Sequence, residues 1–229
     1  MSFETSKGMR RRKVEQQQGI FDWDKVFKGT GIDVGVGDDP IFMVPEDDYN
    51  NWRPGHPREG VVWFDLPSCK DTWPNRGPFV GGDANKLSTY FQPEQFDWLY
   101  ASQCLEHMDS PEVFHDWLKI VKVGGYAIIL VPSWELYEGK VWPSPKNHEH
   151  QITWSVTATK TAAPQHIHVP TWLNSIKYIE PLLCRQLDYN YDYEIGVTED
   201  QSQKNGQDGP HNNVEPWIEF VVRKTATSP

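Results

Sequence analysis

The order of apolar runs along this chain of 229 residues predicts an α/β fold in which a mostly parallel sheet lies between two layers of helices. Three observations carry that prediction. Five runs of strand length are nearly continuous in apolar character, as strands covered on both faces should be. A strongly periodic helix pattern connects the fourth run to the fifth, the arrangement of a crossover between parallel strands. Near the end, two further runs follow one another with no helix between them, so they form an antiparallel pair at one sheet edge. Together these runs make a sheet of seven strands.

The first strand is read in "TGIDVG" and the second in "GVVWFDL". "PFVGGDAN" supplies a short third strand, "FDWLYAS" a fourth and "GYAIILVP" a fifth. The helix before the fifth strand is "DSPEVFHDWLKIVKVGG". Ser110 is placed to cap it, Pro111 suits the first helical position and Glu112 complements the helix dipole. Val113, Phe114, Trp117, Leu118 and Val121 fall on one face, and Gly124 and Gly125 supply the exit. A second helix is read in "PTWLNSIKYIEPLLCRQL", split or kinked at Pro181. The late strands are "YDYEIGV" and "EPWIEFVVRK". Residues 1–28 read as an N-terminal tail and helix. Residues 29–229 read as a single domain, with a loop insert at about 40–60 and an irregular segment at about 134–169.

Bulk properties exclude several functions. The net charge of −10 repels a phosphate backbone, so no nucleic-acid partner is expected, and the basic stretch Met9–Lys13 reads as a solvated tail. No apolar run reaches membrane-spanning length, and the polar N-terminus lacks the apolar centre of a signal peptide. Cys69, Cys104 and Cys184 are odd in number and widely spaced, which fits neither a disulfide framework nor a zinc cluster and points to a cytoplasmic setting.

Three pieces of the sequence carry a family resemblance. They are "GIDVGVGDDP", then the stretch from "VGGDANKL" through "FDWLYASQCLEH" to "LKIVKVGGYAIILVP", and the antiparallel finish. In this order they resemble the class I S-adenosylmethionine-dependent methyltransferases, closest to the small bacterial and environmental, type 11-like group. The resemblance spans roughly Gly29 to Val131 and implies a Rossmann-like three-layer sandwich. It also implies S-adenosyl-L-methionine as cofactor and a small-molecule methyl acceptor, with a sugar or polysaccharide intermediate as one candidate and a homodimer left open. A noncatalytic binding or scaffold protein on the same fold is the alternative.

Parallel sheets bind ligands beyond the carboxyl ends of their strands, which is where the implied cofactor residues stand. Asp33, Gly35, Val36, Gly37 and Asp38 form the glycine turn, whose backbone approaches the methionine portion. Asp65 is placed to accept both ribose hydroxyls. Asp83, Ala84 and Asn85 resemble the group that reads the adenine amino group, and Ser102 and Gln103 resemble the lining of the methyl-transfer mouth. The acids of the turn discriminate between ligands. Asp38 and Asp39 would repel a pyrophosphate by several kcal/mol or so in a partly dry cleft, whereas they attract a cationic sulfonium. Asp39 also reads simply as a cap before Pro40.

Two departures accompany the resemblance. The turn has Pro40 where a third glycine would stand, and Asp65 follows Asp33 by 65 − 33 = 32 positions, more than the ~20 that usually separate a glycine turn from its ribose acid. The intervening insert is therefore read as a loop. For proton transfer, His107 in "CLEH" is the leading candidate, joined by His148 and His150 of "NHEH". As metal ligands, His148, Glu149 and His150 form a weak, alternating loop motif, and no metal site is assigned. His166 and His168 alternate as in a strand and read as structural.

Overall fold

The computed structural model describes residues 7–37, 41, 43–44, 56–57, 59–71, 78–198 and 214–228. Its β-strands are β1 (Gly31–Val34), β2 (Met43–Val44), β3 (His56–Pro57), β4 (Val61–Asp65), β5 (Phe79–Gly81), β6 (Phe96–Ser102), β7 (Val121–Pro132), β8 (Thr153–Ser155), β9 (His166–His168), β10 (Ile179–Gln186) and β11 (Trp217–Lys224). The α-helices are α1 (Lys7–Gln17), α2 (Trp23–Val26), α3 (Val113–Lys119) and α4 (Val169–Ser175).

Seven strands form one sheet in the order β10-β11-β7-β6-β1-β4-β5. The pairings from β7 to β5 are parallel, and β11 runs antiparallel to both of its neighbours. Alternation, interrupted in β6 by a register shift between Phe96 and Trp98, sends side chains to two separate cores. On one face, Phe96, Leu99 and Ala101 of β6 and Ala127, Ile129 and Val131 of β7 pack with Phe114, Trp117 and Leu118 of α3 and with Val169 and Leu173 of α4. On the other, Trp98, Tyr100, Tyr126, Ile128 and Leu130 pack with Trp23 and Val26 of α2 and with Phe27. The three layers expected from the sequence are present, and the segment before residue 29 forms part of the second core. Gly31 is required at the start of β1, because a Cβ there would lie 2.0 Å from the Trp98 ring.

Four elements differ from the sequence expectation, each for a physical reason. The penultimate strand is 179–186, not "YDYEIGV", which forms turns and a short 3-10 helix at Gly196–Thr198. The helix ends at Ser175, where the Ile176 backbone turns extended (φ −86°, ψ 109°) and leads into β10. Pro181 sits instead at a register shift on β10, an edge strand, where a missing N–H is tolerated. The helix before β7 stops at Lys119, and Val121 is buried as a strand residue paired with Phe96. Gly124 and Gly125 lie within β7 instead of closing that helix.

The basic stretch is not a solvated tail. Arg12 is fully buried, and its Nε and Nη2 donate to Glu219 Oε1 at 3.0 and 2.7 Å. Arg11 donates to Glu15, Glu215 and Glu219, and Arg185 donates to Glu15 and Glu219. Three arginines and three glutamates thus form a balanced network that ties α1 to β10 and β11. The segment 134–169 holds β8 and β9, which pair in parallel, and His166 and His168 are strand residues as read. Between β1 and β4, the described residues form only the short pair β2–β3, consistent with a loop insert.

Candidate functional site

Parallel register brings the carboxyl ends of β1, β4, β5, β6 and β7 to one edge: Asp65 pairs with Gly81, and Ser102 with Leu130. The glycine turn leaves β1 there, and Asp65 faces it. Asp65 Oδ2 accepts the Gly37 N–H at 2.9 Å, and Oδ1 accepts the Leu66 N–H at 2.7 Å. Each oxygen keeps a second lone pair, so the carboxylate retains capacity for two further hydroxyl donors. Leu66 is 57% exposed beside it, an apolar surface next to the acid that the sequence reading did not single out.

The turn is backbone-limited. Gly35 has φ +72°, and a Cβ there would stand 2.7 Å from both Cβ and Sγ of Cys104. Gly35→Ala is therefore expected to lower stability by about 1–3 kcal/mol through left-handed strain and overpacking, read as a shift in urea midpoint. Asp33 is buried and its Oδ2 accepts the Ile41 N–H at 2.8 Å, so one carboxylate oxygen pins the turn. Val36 points into the core, leaving only its backbone for a ligand. Asp38, with Asp39 and Pro40, lies outside the described residues.

After β5, Asp83 caps the short helix Ala84–Thr89: its Oδ1 accepts from Asn85 N at 2.9 Å and from Asn85 Nδ2 at 3.1 Å. The Asn85 backbone N–H is the largest reason that the Asp83 carboxyl lies below its usual range. Asn85 Oδ1 accepts from Asp109 N, and the Ala84 carbonyl accepts from Trp117 Nε1 at 2.7 Å. These three residues form a built corner, with Tyr90 Oη accepting the Asp83 N–H.

At the end of β6, Ser102 is half-buried and Gln103 has φ +56°, a left-handed conformation rare for a residue with a side chain. Its buried Nε2 makes no hydrogen bond to any described residue. A left-handed residue with an unused amide donor at the carboxyl edge of the sheet has a group available to a ligand. Cys104 follows, and its thiol is pushed well up, by burial first and then by the charges of Glu106, Asp65 and Asp33.

The turn Leu105–His107 continues from there. His107 Nδ1 lies 3.2 Å from the Glu149 carbonyl, and its ring stands edge-on to His150 at 4.9 Å between centroids. Burial, then the charge of His150, pulls His107 below the ordinary histidine range. His150 is buried, with Nδ1 2.6 Å from Glu138 Oε1. Burial opposes its protonation, yet the Glu138 hydrogen bond and Glu106 outweigh that effect and raise it. Burial pushes the Glu106 carboxyl up to about 8 against the attraction of His150. The structure thus brings His107 and His150 together and leaves His148 exposed. Glu138 belongs to this cluster and had no signal in the sequence, since it lies as a lone acid in an irregular segment.

A family model described as a methyltransferase domain matches residues 66–129. No curated protein matches the chain by sequence. Among solved structures, a SAM-dependent methyltransferase from Archaeoglobus fulgidus is similar at TM-score 0.50 and 11% identity, over 94% of each chain. A protein from Galdieria sulphuraria, described as a candidate sarcosine dimethylglycine methyltransferase, is similar at TM-score 0.51 and 10% identity, over 95% of this chain and 86% of that one. The glycine turn, the acid ending β4, the capped corner after β5 and the matched segment agree: the chain has the class I methyltransferase fold, its residues 66–129 are similar to a methyltransferase domain, and S-adenosylmethionine is the cofactor expected of that fold.

Proposed function

We propose that the chain transfers the methyl group of S-adenosylmethionine to a small, hydroxylated acceptor such as a sugar. One observation supports this above the others: the turn at Gly35–Gly37, Asp65, the Asp83–Asn85 corner and the unsatisfied Gln103 amide converge on one sheet edge. In this reading the Gly37 region and Asp65 hold the methionine and ribose portions, and Asp83 and Asn85 face the adenine. Ser102 and Gln103 line the transfer mouth. The sulfonium is an activated donor, so holding the acceptor in line and excluding water supplies much of the acceleration. His107 stands on the turn after β6 with Nδ1 against a carbonyl, which leaves the Nε2 lone pair to receive the acceptor's proton. His150, held by Glu138, positions that ring. Three free cysteines fit a reducing, cytoplasmic compartment.

Calorimetric titration with S-adenosylmethionine and its demethylated product, followed by a labelled-methyl screen of metabolite pools, tests the proposal. Saturable binding and label transfer are expected. His107→Ala is expected to slow transfer by about 100-fold or more with little change in cofactor affinity. No binding at millimolar cofactor overturns the reading. Binding with no transfer to any pool favours the noncatalytic alternative, which Pro40 in place of a third glycine motivates.

A further inference from the structure

The cluster on the turn after β6 holds a group that the methyl-transfer chemistry leaves unexplained. Glu106 is fully buried, and neither of its carboxylate oxygens makes a hydrogen bond to any described residue. An unpaired carboxylate in such a place costs several kcal/mol or so unless a cation or a proton meets it. Two imidazoles approach it. His107 Nε2 is 3.9 Å and His150 Nε2 4.0 Å from Glu106 Oε1, and one ligand atom from each of the three residues lies within 4.8 Å of the other two.

Each ring is gripped on its far side. His107 Nδ1 faces the Glu149 carbonyl at 3.2 Å, and His150 Nδ1 faces the Glu138 carboxylate at 2.6 Å. Both partners accept, so both Nδ1 atoms carry hydrogen and both Nε2 atoms turn toward Glu106, where a metal ion would displace any proton that they hold. A carbonyl or carboxylate behind each histidine is the outer arrangement that orients imidazole for a metal.

We propose that Glu106, His107 and His150 form a binding site for one divalent first-row transition metal ion, of which Zn²⁺ is the type. Two imidazole nitrogens and one carboxylate oxygen favour such an ion over Mg²⁺ or Ca²⁺, which take oxygen ligands. Bond lengths near 2 Å set ligand atoms roughly 3.3 Å apart around the ion, so the three groups close by under about an ångström each on binding. Three protein ligands leave a coordination position open. It faces the His107 side, since that side chain is 28% exposed against 3% for His150 and 0% for Glu106. An acceptor oxygen bound there would lose its proton more readily, a task otherwise left to His107. That last step rests on the methyltransferase reading; metal binding does not.

The test uses the full chain, stripped with a chelator and titrated with Zn²⁺ against a chromophoric competitor. One tight site per chain is expected, unaffected by millimolar Mg²⁺, and Co²⁺ in the site should give visible absorption. Glu106→Gln, His150→Ala and the partly exposed His107→Ala should each weaken Zn²⁺ by about 100-fold or more, and Glu138→Gln by about 10-fold. Circular dichroism and thermal unfolding establish that each variant is folded; His107→Ala carries the test if the buried variants are not. Absence of a tight site overturns the proposal, as does wild-type affinity in folded His107→Ala, or a site removed by His148→Ala instead. Cofactor affinity is measured separately on metal-free protein. Lost cofactor binding with an intact metal site defeats only the methyltransferase reading, and the reverse result defeats only the metal site.

Discussion

Glu219→Ala is expected to destabilise the protein by about 3–5 kcal/mol, the cost of breaking a buried ion network by removing one partner. Glu219 is fully buried at the centre of that network, with Arg12 Nη2 at 2.7 Å, Arg11 Nη2 at 3.0 Å and Arg185 Nη2 at 2.6 Å. Removing it takes from the fully buried Arg12 the carboxylate that accepts from its Nε and Nη2, while the guanidinium still lies over the Trp23, Tyr100 and Phe27 rings at 4.9, 5.2 and 5.9 Å. Chemical denaturation measures the loss. Adding Arg12→Met to Glu219→Ala should recover about half of it, because the lost attraction between Glu219 and a buried guanidinium, and not the lost volume, dominates. A double variant no more stable than Glu219→Ala alone would show that the cavity is the larger effect.

The pH dependence of that network has a definite sign. Burial works to raise the Glu219 carboxyl, but Arg12 and Arg11 overcome it and hold the group well below the usual carboxylate range. A depressed native pKa means that the stabilisation is fully present above the ordinary carboxylate value and is lost as pH falls through the native one. Glu15 is lowered as well and acts in the same direction. Glu215 is raised, by burial first and against Arg11, so it contributes oppositely. Wild type and Glu219→Ala should therefore differ most near neutral pH and converge in strong acid.

The network also shows what a sequence hides. "RRR" at the N-terminus has the appearance of a tail, because its partners Glu215 and Glu219 lie about two hundred positions away and no local pattern links them. Strands were legible for the opposite reason. Burial on both faces writes each parallel strand as an unbroken apolar run, and the residue ending that run is at the carboxyl edge of the sheet, which is how the positions of Asp65, Asp83 and Gln103 could be named. Ile179–Gln186 was misread because an edge strand needs only one buried face, and its spacing then overlaps that of an amphipathic helix. Within the His cluster, His107 was visible in "CLEH", whereas Glu138 joins it from an irregular segment where neither period nor motif operates.

Asp65 carries the largest expected functional effect. Its two oxygens already accept the Gly37 and Leu66 N–H groups at 2.9 and 2.7 Å, which fixes the carboxylate plane across the mouth of the glycine turn. A carboxylate so held presents its remaining lone pairs in one orientation, and two vicinal hydroxyls can meet them without further ordering. Each hydrogen bond to a charged acceptor is worth about 1.5–3 kcal/mol, so Asp65→Ala should weaken S-adenosylmethionine by about 100-fold or more. Asp65→Asn keeps one acceptor and should fall between. The group is half-buried and sits at a strand end, so the loss of stability in Asp65→Ala should be small, about 1–2 kcal/mol for the two backbone N–H groups released. The ratio of the two effects carries the argument. Calorimetry on folded Asp65→Ala that shows unchanged cofactor affinity would mean that the carboxylate only braces the turn, and that the ribose is read elsewhere along the edge.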